Sequence, residues 1–375
     1  MKKSCRFLIF LLFVPLFAVA QNNQKAFYVG HSLSDQIAEM VKSLVQNHPT
    51  IQFDFAYQSI PGASLEWNWN NGATYGQNPP HFFGYNDATG GLPNGSFSAL
   101  VLTESVPRTM SNIINSYNFS EMFYNYALGY NSNTRVYVYE VWHCINSGTP
   151  TACPFDVDSN PWRQRLTDDL PMWESIVNHL NTTLSPSTPV CLIPGGQGLA
   201  TLYDEIQLGT VPGITSMNDL FEDDIHLTDI GKYFIACIHF ASLYNTSPVG
   251  LPNQLYGMWG GAFTAPNPAL ALRLQEIAWN TITQYPNSCY SLASVVNYEQ
   301  LEMKMYPNPT KDYLDISSKF KIDKVEVFDL QGKKIETFLF NANEVTLITS
   351  KYNTGVYILK VYSENKLSVD KFVKQ

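Results

Sequence analysis

Charge is scarce in this chain. Only 15% of its 375 residues are Asp, Glu, Lys or Arg. Basic residues are scarcest where most of the chain lies: residues 21–300 hold 8 Lys and Arg against 22 Asp and Glu, a net charge of −14. A body this acidic excludes a nucleic-acid partner, because phosphate recognition needs basic surface. Cysteine is sparse as well, six in all, and no Cys-x-x-Cys or His-x-x-x-His spacing suggests zinc. After residue 20 no stretch reaches the roughly 18 consecutive apolar residues that a membrane helix requires. Hydrophobic residues nevertheless make up 45%. That supports a sizeable core and excludes a disordered or fibrous chain.

Residues 1–20, MKKSCRFLIFLLFVPLFAVA, have a basic start, an apolar run and a small-residue Ala18-Val19-Ala20 end. This is the pattern of a secretory signal peptide. Cys5 leaves with it. Cys144, Cys153, Cys191, Cys237 and Cys289 remain, an odd number, so at least one thiol is free or pairs between chains. Cys144 and Cys153 flank an Asn-Ser-Gly-Thr-Pro turn and could close a small loop.

From residue 26 to 245, apolar strand-like runs alternate with helical spacings. Strands are predicted at Ala26–Val29, Ile51–Tyr57, Ala99–Thr103, Arg135–Glu140 and Val190–Pro194. Helices are predicted at Ser34–Gln46, Glu121–Tyr130, Arg163–Leu180 and Thr228–Leu243, with a peripheral one at Pro268–Tyr285. That alternation implies a parallel sheet with crossover helices, whose sites lie at the carboxyl ends of the strands. The segment Trp67–Pro93 is too long for an idle connection. Its Trp67, Trp69, Tyr75, Phe82, Phe83 and Tyr85 could stack on sugar rings or tie the loop down.

Two motifs carry the chemistry. Gly30-His31-Ser32-Leu33 ends the first strand, where a serine is exposed near a helix and its own N–H can help hold an oxyanion. Asp223-Asp-Ile-His226 precedes an apolar helix about 190 residues later. A carboxylate three residues before an imidazole can hold its Nδ1–H and turn the ring toward the serine. Asp223, Asp224, His226 and Asp229 could instead chelate a metal, but no second cluster completes such a site.

On these residues the region 26–245, within a unit expected to span 21–296, resembles the SGNH (GDSL-type) hydrolases, with His31 in place of the usual Asp. The resemblance implies a flavodoxin-like three-layer α/β/α fold and hydrolysis of an ester through an acyl-enzyme, without metal or cofactor. It places Ser32 as nucleophile, His226 as general base and Asp223 as its orienting partner. Gly62, in Ile60-Pro-Gly-Ala-Ser64, falls at the oxyanion-hole glycine, beside the N–H of Ser32. One block departs. Where the family carries an Asn that donates to the oxyanion, this chain reads Thr103-Glu104-Ser105-Val106-Pro107. Loss of one such donor costs on the order of 3 kcal/mol in the transition state. Candidates for the place, or for substrate contact, are His31, Glu104, Ser105, Glu140 in the segment Tyr139–His143, and Gln197. Glu104 is expected to turn away and bind a backbone group or His31, since an ionised carboxylate would repel an oxyanion. The missing Asn also leaves open a non-catalytic, glycan-binding surface protein on a degenerate fold.

After residue 300 the texture changes. Twelve Lys against ten Asp and Glu give residues 301–375 a net charge of +2. Short strands alternate with turns at Asp329–Gly332, Tyr352–Gly355 and Ser363–Asn365, the spacing of a small antiparallel β-sandwich. The strands alone would suit an accessory carbohydrate-binding module equally well. Tyr306-Pro-Asn-Pro309, Val327-Phe-Asp-Leu-Gln-Gly-Lys333, Gly355-Val-Tyr-Ile-Leu-Lys360 and a basic last strand resemble, in that order, the type IX secretion C-terminal sorting domain of Bacteroidetes. The resemblance covers 300–375. It implies the type IX machinery as partner and export across the outer membrane. The substrate expected for the whole chain is an ester, carried on extracellular polysaccharide.

Overall fold

The computed structural model describes residues 22–72, 81–150, 153, 156, 158–288, 290, 299–329, 334–363 and 366–375. The leader expected over 1–20, Tyr75 and most of the turns at 329–332 and 363–365 lie outside them. The chain divides into two compact units between Leu292 and Ala293.

The first unit is built on five parallel strands: β1 Asn22–Gly30, β2 Ile51–Ser59, β3 Ala99–Leu102, β4 Arg135–Glu140 and β5 Cys191–Pro194. Their spatial order is 2-1-3-4-5, that of flavodoxin-like sheets. β3 and β5 are buried along their whole length, as the apolar runs require of strands covered on both faces. The connections between the strands and the chain beyond β5 are helical. They comprise α1 (Ile37–Val45), α2 (Leu65–Asn71), α3 (Ile113–Tyr130), α4 (Trp162–Asp168), α5 (Leu170–Leu184), α6 (Gly195–Gln207), α7 (Asp229–Tyr244) and α8 (Pro268–Gln284). The right-handed crossovers from β1 to β2 and from β2 to β3 run in opposite directions across the sheet, which puts α1 and α2 on opposite faces. Accordingly α1 packs on α7 and α7 on α8, while α3 packs on α2 and α5. The strand order turns back on itself between β1 and β3, and the crevice at their carboxyl ends is where such sheets bind ligands.

Several elements differ from their sequence reading. A helix from Ser34 is replaced by a single tight turn, Ser32–Ser34, then Gln36 in the left-handed region (φ +65°), and only then α1. The apolar stripe Ile37, Met40, Val41, Leu44 and Val45 is buried as its spacing predicts. The helix expected over Arg163–Leu180 is broken at Asp169 into α4 and α5. Pro171 has no N–H to continue the ladder, and the Asp169 carboxylate pairs with His143 and Arg165 instead. The helix expected from Glu121 begins two turns earlier, at Ile113.

Trp67–Pro93 begins within α2, and the described rings on either side of residues 73–80 tie it to its neighbours. Trp69 stacks on Tyr85 at 4.8 Å, and both pack edge-on against Phe123 of α3. Phe82 meets Tyr57 at 4.3 Å. Trp69, Phe82, Phe83 and Tyr85 therefore face the core, while Trp67 is exposed. A disulfide joins Cys144 to Cys153, Cys191 is also disulfide-bonded, and Cys237 is a buried free thiol.

The second unit is a small, mainly antiparallel β-sandwich of β6 (Glu299–Gln300), β7 (Met303–Tyr306), β8 (Tyr313–Phe328), β9 (Lys334–Ile348), β10 (Gly355–Ser363) and β11 (Lys366–Lys374). β8 is long and irregular. Its first half pairs with β7, its second with β10, and β9 runs along both. Its core is aliphatic: Leu314, Ile316, Ile322, Val325, Val327, Leu347, Leu359 and Val361, closed by Phe372. Among the described residues no helix is long and apolar enough to cross a membrane.

Candidate active site

Ser32 sits at the carboxyl end of β1, where the chain leaves the sheet in a tight turn. Gly30 is needed there. A side chain at this position would meet Ser34 Oγ at 2.8 Å and Thr103 Cβ at 3.2 Å. Ser34 cannot retreat, because its hydroxyl donates to the His31 carbonyl at 2.6 Å. His31 is buried and locks the turn from the other side. Its Nδ1 accepts from Leu33 N–H at 3.4 Å, so its Nε2–H donates to the backbone carbonyl of Glu104 at 3.0 Å. Burial pushes its pKa down, and the ring stays neutral. His31 therefore staples the loop after β1 to the loop after β3.

His226 Nε2 lies 2.9 Å from Ser32 Oγ, and its Nδ1 lies 2.7 Å from Asp223 Oδ2. The other Asp223 oxygen accepts from the N–H groups of Ile225 at 2.8 Å and His226 at 2.7 Å. Burial acts to raise the Asp223 pKa, but those two backbone donors and the imidazole outweigh it and hold the carboxyl below its usual range. The carboxylate thus shapes the loop and orients the ring with one set of contacts. Phe221 and Leu227 close the loop's base as a short antiparallel bridge, and Thr228 caps α7 behind it. Hydroxyl, imidazole and carboxylate in this sequence are the arrangement that general-base activation of a serine requires.

Ser32 and His226 face a cleft of about 380 Å³, lined also by His31, Leu33, Gly62, Ser105, Val106, Pro107 and Ile225. It opens between the loops after β1 and β3, at the turning point of the strand order. Gly62 sits in the left-handed region (φ +67°), which glycine tolerates. A larger cavity, about 560 Å³, lies beside α1 and β2 and contains none of these groups.

The remaining candidates separate. Ser105 lines the cleft; its hydroxyl donates weakly to Glu104 at 3.3 Å. Glu104 does not line it. Its carboxylate is buried, takes N–H bonds from Ser105 at 2.8 Å and Leu65 at 3.2 Å and the Ser116 hydroxyl at 2.9 Å, and pairs with Arg108. It meets backbone groups, whereas His31 meets its carbonyl rather than its carboxylate. Arg108 was missed from the sequence; its place four residues on was the available signal. Glu140 and Gln197 also lie away from the cleft. The Glu140 carboxylate accepts from the Gln197 backbone N–H at 3.0 Å and side-chain amide at 2.8 Å, and that amide also donates to the Leu166 carbonyl. Burial raises Glu140 from its ordinary 4.5 to about 7. The segment after β4 contributes differently: Trp142, Ile145 and Asn146 bond to the Asp223–His226 loop. Among the described residues no cluster could hold a metal ion.

No curated protein matches the chain. Among solved structures it is similar to a DUF4886 family protein from Bacteroides uniformis ATCC 8492, with 17% identity and TM-score 0.45 over 71% of this chain and 97% of that one. A candidate GDSL-like lipase from Parabacteroides merdae ATCC 43184 has 10% identity and TM-score 0.40 over 60% and 98%. A carbohydrate esterase family 3 protein from Talaromyces cellulolyticus has 13% identity and TM-score 0.33 over 59% and 97%. Likenesses this distant carry no argument about chemistry. Residues 304–375 match the family described as "Secretion system C-terminal sorting domain", so the chain ends in a type IX sorting domain that directs it to the cell surface or beyond.

Proposed function

We propose that the first unit is a serine esterase acting on small acyl groups, such as acetyl, carried by extracellular carbohydrate. The observation that carries this reading is the connected series Asp223–His226–Ser32, with links of 2.7 and 2.9 Å, at the mouth of a cleft. In the proposed reaction His226 Nε2 takes the Ser32 proton as Oγ attacks the ester carbonyl. The N–H groups of Ser32 and Gly62 receive the oxyanion, and His226 returns the proton to the leaving alcohol. Water then repeats the sequence on the acyl-enzyme. Leu33, Val106, Pro107 and Ile225 give the cleft apolar walls suited to a short acyl group. Ser105 is the proposed third donor. Its bond to Glu104 is long for a hydroxyl, so turning toward the oxyanion costs little.

The carbohydrate part of the proposal rests on export and on the exposed Trp67, not on the catalytic groups. The test is turnover of p-nitrophenyl acetate and of acetylated polysaccharide by the leaderless protein, with and without a fluorophosphonate. Hydrolysis that stops on stoichiometric labelling of Ser32 supports the reading. Absence of both turnover and labelling overturns it.

A further inference from the structure

The Asp223–His226 loop is half in solvent. The Asp223 side chain is 54% exposed and that of His226 33%. Its internal bonds give it a shape but do not fix its place over Ser32. Three bonds from another segment hold it there. Trp142 Nε1–H donates to the Ile225 carbonyl at 2.7 Å, Asn146 Nδ2–H to Asp224 Oδ1 at 2.8 Å, and Ile145 N–H to the Asp224 carbonyl at 2.8 Å. All three donors lie within residues 142–146, and Cys144 is in their middle.

That segment is itself fastened twice. One fastening is the disulfide from Cys144 to Cys153. The other is a buried charged cluster. Arg165 of α4 contacts Asp156 at 2.5 Å, Ser147 Oγ at 2.7 Å and His143 Nδ1 at 3.0 Å, while His143 Nε2 meets Asp169 at 2.5 Å. The two fastenings depend on each other. Asp156 N–H donates to the Cys153 carbonyl at 3.0 Å, which joins the disulfide to the residue whose carboxylate meets Arg165, and Arg165 in turn abuts His143, next to Cys144.

We infer that the Cys144–Cys153 disulfide is a redox-sensitive latch that positions His226 over Ser32, so that the site reaches full activity only after the chain is oxidised outside the cytoplasm. The inference rests on the esterase reading for its kinetic readout, but not for its structural one. A dithiol reductant supplies two electrons and two protons, opens the bond to two thiols and itself becomes a cyclic disulfide. The donors at 142–146 are then free to drift, and a drift of about 1 Å at His226 can cost on the order of 100-fold in rate.

The experiment uses folded, leaderless full-length chain, oxidised or treated with dithiothreitol. It also uses the double variant Cys144→Ser/Cys153→Ser, because the reductant can open the Cys191 disulfide too. Reduction should lower kcat at least about 10-fold while KM stays within about twofold. Labelling of Ser32 by a fluorophosphonate should slow in parallel, and reoxidation should restore both. The double variant should match the reduced protein and ignore dithiothreitol. Asn146→Ala should lower kcat less and remain redox-sensitive. Equal rates in oxidised, reduced and double-variant protein overturn the latch. If the oxidised protein neither turns over ester nor reacts with the probe, the esterase reading is what has failed. Amide exchange at Ile225–Leu227 then decides alone: reduction should speed it, and unchanged exchange overturns the latch. If the double variant does not fold, reduction of the folded Cys191→Ser chain, in which the Cys191 bond is already absent, gives the same comparison.

Discussion

Ser32 and His226 meet across 2.9 Å from opposite kinds of backbone. Ser32 leaves a strand buried from Ala26 to Gly30 and paired in parallel with β2 and β3 on its two sides. His226 stands on an exposed loop held by an Asx turn and three bonds from residues 142–146. Moving Ser32 means disturbing the sheet. Moving His226 means breaking a few hydrogen bonds near solvent. One partner thus shares the stability of the whole unit, and the other only a local stability.

Ser32→Ala should break the comparison at its strongest point. Removing the proposed nucleophile should lower kcat/KM by 10³-fold or more, while thermal stability changes by about 1 kcal/mol or less. An unchanged rate on p-nitrophenyl acetate would sink the catalytic assignment. Asp223→Asn should come next, with a loss of roughly 10³-fold, because an amide no longer selects the Nδ1–H tautomer. Melting should barely shift, since the residue is exposed. A large stability loss there would mean that the loop is part of the cooperative core after all.

Glu104→Gln tests the buried side. The substitution leaves Arg108 without its counter-charge and weakens an acceptor shared by Ser105, Leu65 and Ser116. It should destabilise the protein by about 3 kcal/mol and lower the rate at every pH, through displacement of the loops bearing Gly62 and Ser105. A variant with full stability would show that the carboxylate does not join those loops.

Glu140 gives a smaller effect, visible as a slope. Its folded pKa, raised by burial to about 7, lies above its ordinary 4.5. The folded state holds the proton longer, so the contribution to stability is complete below about 4.5 and is lost as pH rises through 7. Glu140→Gln should flatten the decline of melting temperature over that window; an identical slope in both proteins would place its cause elsewhere. The smallest expected effect is none. A chain ending after Leu292 should keep its rate on small esters, since the described contacts of the cleft all lie within the first unit. Loss of activity by that folded chain would give the sorting domain a role in the site.

Much of this was legible before folding, for local reasons. Ser32 was marked by a Gly-x-Ser turn after an apolar run, and Asp223 and His226 by a spacing of three residues before a helix. Such signals depend on neighbours a few residues away. The break at Asp169 was legible in principle, since Pro171 was in plain view, but a continuous apolar stripe masked it. The aromatic segment was ambiguous by nature. A ring on a sugar and a ring in a core have the same composition, and only contact with Phe123 from α3 turns Trp69 and Tyr85 inward.

The sequence by itself determined the alternation of strands and helices, the local shape of the two motifs and the change of texture near residue 300. Hydrophobic period, turn chemistry and charge act over short distances. Tertiary structure alone decided which polar groups are spent on architecture. Glu140 and Gln197 stand in the sequence as candidates for the oxyanion, yet they satisfy each other and buried backbone groups instead, and Glu104, expected to turn to a backbone group, does so with Ser116 and Arg108 beside it. Their fate depended on partners that pairing of distant strands brought near, as it brought residue 226 to residue 32. Once a carboxylate is buried, the cost of leaving it unpaired lets the nearest donors settle its role.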